Sequence, residues 1–135
     1  MYYDLDSLEK LSNELGFEAS RISPDTLEIS VKDNVILVFM NLFDEKDTLI
    51  GFKGTPWHAH GKVMLMRDEG SYVTLDEKDV LQGIKTGDIL IVEQYRDNIL
   101  ADRWLTHQEE KMDVRFTQPG EEIRICKGKY SREKE

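Results

Sequence analysis

Two histidines, His58 and His60, stand two residues apart in Gly54-Thr55-Pro56-Trp57-His58-Ala59-His60-Gly61. On an extended backbone, residues i and i+2 face the same side, so both imidazoles can reach one ligand or one metal ion. Imidazole ligates zinc, copper and iron, and it titrates near neutral pH. Trp57 adds a large aromatic beside them. A plainer role competes with these: two histidines in a Pro-Trp loop can simply bond backbone groups.

A second constellation lies further along the chain. Residues 89–95 and 99–105 read as a hairpin turning at Asp97-Asn98. A two-residue or four-residue loop would set Tyr95 opposite Leu100, Glu93 opposite Asp102 and Ile91 opposite Trp104. Two facing carboxylates repel unless solvent, a cation, a shared proton or a metal offsets them. On an apolar face, one of the pair would acquire the raised pKa that a general acid or base needs. A three-residue turn would shift the register and dissolve the pairing. Taken together, the two constellations predict a binding site where the loop bearing Trp57, His58 and His60 meets the hairpin bearing Glu93, Asp102 and Trp104.

A metal at His58 and His60 would need a third ligand, usually another histidine or a carboxylate. The His-x-His pair is similar to that of cupins, which place a glutamate four or five residues after the second histidine. Here those positions are Met64 and Leu65, which cannot bind a hard cation, so the chain departs from the cupin pattern. The expectation is therefore no metal and no cofactor, with His58 and His60 as the weak candidates. Residues 51–55 lack the glycine spacing of a Walker A loop, and no Gly-x-Ser-x-Gly elbow occurs.

The elements that must position these groups follow from periodicity. Leu5, Leu8, Leu11 and Leu15 form one face of a helix over 6–15, with Asp6 and Glu9 as a capping box and Gly16 as its stop. Residues 27–31 alternate as a half-buried strand after a Pro24-Asp25 turn. Residues 35–40 are apolar on both faces and predict a central strand covered on both sides. Strands over 48–52, 62–66 and 71–75 follow, with a hairpin loop at 68–70. A second helix starts at Asp76, buries Val80, Leu81 and Ile84, and stops near Gly87, with Gly83 unfavourable inside it. Residues 106–109 could cap a short helical turn. Pro119-Gly120 suits a type II turn before a closing strand around Ile123 and Ile125, and residues 128–135 form a charged tail expected to fray. Consecutive hairpins with two helices predict one α+β domain over residues 1–135 with a largely antiparallel sheet.

Composition narrows the function. Lys plus Arg total 18 against 27 Asp plus Glu, a net charge of −9. That field disfavours nucleic acid and anionic membranes and favours a basic protein partner. Cys126 is the single cysteine, so no disulfide forms within the chain. The N-terminus lacks the pattern of a signal peptide, which predicts a cytoplasmic protein. The leading expectation is an acidic binding or inhibitory protein without catalysis, analogous in size and charge to toxin-neutralising immunity proteins. The alternatives are a small metal-dependent enzyme using His58, His60 and a carboxylate, and a subunit of a larger assembly.

Overall fold

The computed structural model describes residues 2–67, 70–108 and 119–126. Helix α1 (Leu5–Glu14) buries Leu5 and Leu8 against the core, with Leu11 and Leu15 packed at its margin. The cap is Asp4, whose carboxylate accepts the Ser7 N–H at 3.1 Å, rather than the expected Asp6. Burial explains the shift: Leu5 must lie inside the core, so the helix begins before Asp6. Asp6 instead pairs with Arg21 at 2.7 Å. Helix α2 (Glu77–Thr86) matches expectation. Asp76 and Asp79 form a capping box, Val80, Leu81 and Ile84 are fully buried, and Gly87 caps the end with φ 90°. Gly83 costs helix propensity, but a Cβ there would collide with Ile89 Cδ1. Glycine is what lets α2 lie directly on the strand below it.

Five antiparallel strands follow one another across the first sheet: β1 (Glu18–Ser23), β2 (Thr26–Lys32), β3 (Val35–Leu42), β4 (Asp47–Phe52) and the two-residue β5 (His58–Ala59). Leu27, Ile29 and Val31 of β2 and Val35, Leu37 and Phe39 of β3 point inward and are buried. The other face of β3, bearing Ile36, Val38 and Met40, is only half-buried, so the expected cover on both sides is partial. β1 pairs along β2 although Ala19, Arg21 and Ser23 give it no apolar stripe to read in the sequence. Asn41, buried at the end of β3, accepts the Tyr3 N–H at 2.8 Å and donates to the Tyr3 carbonyl at 3.0 Å. This pins the segment before α1 to the sheet.

A two-stranded ribbon, β6 (Val63–Met66) with β7 (Tyr72–Leu75), leads into α2. The remaining strands, β8 (Ile89–Arg96), β9 (Ile99–His107) and β10 (Glu121–Cys126), form a sheet with β8 in the centre. The helical turn expected over 106–109 gives way to β9, which runs through His107; Glu109 lies outside the described residues. Thr106 pairs with Leu90 and is buried, so the ladder takes its backbone. The charged tail and most of the hairpin loop at 68–70 also lie outside the described residues, though Gly70 has the positive φ, 81°, that such a loop requires. The result is an α+β architecture of consecutive hairpins with an N-terminal and an internal helix. Among the described residues, no helix is long and apolar enough to cross a membrane.

Candidate functional site

Loop and hairpin meet at one defined contact. The Trp57 N–H donates to Asp102 Oδ1 at 2.9 Å, and the same oxygen accepts the Arg103 N–H at 2.8 Å. Asp102 therefore satisfies two backbone donors, which is enough to account for a carboxylate at this position. Trp57 is half-buried and packs its ring 6.0 Å from that of Phe52. It braces the loop against the core.

The expected opposition of Glu93 and Asp102 does not occur. The turn at Asp97-Asn98 has the two residues expected, both at positive φ, 52° and 68°, and Tyr95 faces Leu100. Ala101 is then accommodated as a β-bulge, so Gln94 faces Asp102, Glu93 faces Arg103 and Val92 faces Trp104. Ile91 faces Leu105 rather than Trp104. Directly opposed residues share a face. Glu93 thus lies on the core-side face with Ile91, while Asp102 and Trp104 lie on the other.

Arg103 resolves the charge that the sequence left open. Its Nε donates to Glu93 Oε2 at 2.8 Å, with side-chain exposures of 10% and 12%, so the pair is largely removed from solvent. Tyr95 donates its hydroxyl to Glu93 Oε1 at 3.1 Å, and the Arg124 guanidinium sits 4.1 Å over the Tyr95 ring. Hydrogen bonding to Arg124 holds the Glu122 carboxyl below the usual range. The result is a strip in which each carboxylate is paired with an arginine. Cys126 closes the same face; burial pushes its thiol pKa up, which disfavours the nucleophilic thiolate.

His58, in β5, and His60, in the bend just after it, are both exposed, with their rings 5.2 Å apart and nearly perpendicular. His58 Nδ1 lies 3.1 Å from the Pro56 carbonyl oxygen, and His60 Nδ1 lies 2.7 Å from that of Thr48. A carbonyl only accepts, so each ring donates from Nδ1 in these contacts. Asp47 Oδ2 stands 3.0 Å from His60 Nδ1. Among the described residues, no group of three or more His, Cys, Asp or Glu side chains is arranged to hold a metal ion.

Two features escaped the sequence reading. The first is the outer face of the β6–β7 ribbon, where Met64, Met66 and Tyr72 are exposed. Alternation in Val63-Met64-Leu65-Met66 carried the signal, because one face of that strand had to take both methionines. The second is a cleft of about 390 Å³ between α2 and the neighbouring strands, lined by Arg67, Val73, Asp79, Asp88, Ile89 and His107. Its residues come from four elements and the connections after β6 and after α2, a convergence with no local pattern. No family model matches this chain, and no curated protein or solved structure matches it.

Proposed function

We propose that the chain is an acidic binding module of the cytoplasm, without catalysis, that docks a basic protein through the outer face of the β6–β7 ribbon. The observation that carries this reading is the exposure of Met64, Met66 and Tyr72, at 61%, 40% and 58%. Met66 lies directly opposite Tyr72, and Met64 is on the same face two residues along. Single exposed apolar side chains are ordinary, but a contiguous strip is a mark of contact surfaces. Methionine adapts its shape to a partner, and tyrosine is a frequent interface anchor. The net charge of −9 favours approach of a basic surface and speeds encounter with it.

A photoreactive phenylalanine analogue in place of Tyr72 should trap a basic protein in cells of the native host. Met66→Lys in the same chain should abolish that adduct. Adducts unchanged by Met66→Lys would remove the ribbon from the interface. Trapping of a second copy of the chain would favour the assembly-subunit reading instead.

A further inference from the structure

We infer, resting on the partner reading above, that Met64 and Met66 form a reversible oxidation switch on the outer face of the β6–β7 ribbon. The chemistry is that of the thioether. A hydroperoxide transfers one oxygen to the sulfur. The O–O bond breaks, an S–O bond forms, the sulfur loses two electrons, and the peroxide leaves as water or an alcohol. Thiol-dependent reductases return the sulfoxide to the thioether, releasing water and forming a disulfide in the reductase.

Access decides which methionines react. Met64 and Met66 are exposed on a strand that pairs only with β7 among the described residues. Met40 carries the same thioether but is half-buried on β3, flanked by Thr26 of β2 and Leu49 of β4. Peroxide therefore reaches the ribbon first. Placement decides the consequence. Val63 and Leu65, on the inward face of β6, are buried and hold the strand to the core. Their ladder partners are Leu75 and Val73. Met64 and Met66 project from the opposite face, where a sulfoxide keeps its water. The fold does not register the change, but a partner on that face does. Met66 stands opposite Tyr72 and Met64 opposite Thr74, so both side chains lie along the strip that a partner covers. A sulfoxide oxygen is a polar acceptor, and burying one without a donor costs free energy that a thioether does not. The soft, shape-adapting surface that suits methionine to contact is lost with it. Oxidation thus switches docking off while the fold stands, and reduction restores it.

Hydrogen peroxide treatment of the full chain, read by peptide mass mapping, tests the chemistry. Met64 and Met66 should each gain one oxygen at least about threefold faster than Met40, and the urea midpoint should not move. Rates no greater than that of Met40 overturn the switch, as does a fall in midpoint that Met64→Leu with Met66→Leu prevents. The consequence is read with the photoreactive analogue at residue 72, illuminated in host cell extract after the peroxide is removed. Peroxide should abolish the adduct with the basic protein, and methionine sulfoxide reductase should restore it. In Met64→Leu with Met66→Leu, nothing on this face remains to be oxidised, so peroxide should leave that variant's own adduct yield unaltered. An adduct that survives oxidation of Met64 and Met66, or a peroxide loss that persists in the leucine variant, overturns the switch. An untreated chain that traps nothing overturns the partner reading itself, so the two failures are told apart.

Discussion

The β2–β3 hairpin and the β6–β7 ribbon are built alike and finished differently. In both, alternate residues point inward: Leu27, Ile29 and Val31 in β2, Val63 and Leu65 in β6, all buried. The outward residues of β2 include Glu28 and Ser30, which suit a solvated face. Those of β6 are Met64 and Met66, joined across the ladder by Tyr72 of β7. An inward apolar residue is explained by the stability it gives. Met64 and Met66 gain little such stability, because their surface stays in water. The contrast separates residues whose burial stabilises the fold from exposed residues that the proposed interface would use, and it can be broken experimentally.

The largest effect should come from the first region. Phe39→Ala empties a fully buried site on β3 and should cost about 3–5 kcal/mol in a urea melt. A cost below 1 kcal/mol would mean that this face is not the core. Arg103→Ala should follow closely. It strands Glu93 at 12% side-chain exposure, and removal of one partner from a buried ion pair costs about 3–5 kcal/mol. Replacing both, Glu93→Gln with Arg103→Met, should recover most of that loss. A double variant no better than the single would show that packing, not the stranded charge, sets the cost.

Much smaller stability changes are expected in the second region. Met64→Thr with Met66→Thr should alter stability by no more than about 0.5 kcal/mol, as at ordinary surface positions, while removing the Tyr72-trapped adduct. Destabilisation of several kcal/mol would reassign the ribbon's outer face to the fold. The smallest effect is kinetic. Burial raises the Cys126 thiol pKa, so its thiolate fraction at pH 8 lies below that of an unburied cysteine. Alkylation by iodoacetamide should be slow at that pH, rise as pH increases, and accelerate on unfolding in urea. Equal rates in folded and unfolded chains would place Cys126 in open solvent.

The two helices and most hairpins were legible because their signals are local. Asp76 with Asp79 caps α2, Gly87 stops it, and Val80, Leu81 and Ile84 repeat at helical spacing. Asp97-Asn98 adopts the two-residue turn that its residue types favour. β1 was illegible because its side chains carry no apolar period; it is a strand because β2 offers it hydrogen bonds. Asp4 and Asp6 were both able to cap α1, and only the burial of Leu5 chose between them.

The candidate site divides along the same line. By itself, the sequence set His58 and His60 two residues apart, a spacing that puts both rings on one side wherever the backbone is extended. It also determined that the loop is punctuated by glycine, with Gly54 and Gly61 at φ 89° and 69°. Tertiary structure decided the rest. A bulge at Ala101 moved Glu93 from Asp102 to Arg103, because one extra residue shifts every pairing beyond it. Asp102 became a clamp for the Trp57 amide, and Asp47 came to His60 from a separate strand. Contacts between residues distant in sequence depend on how sheets pack and where ladders slip, and neither is written in the spacing of nearby residues.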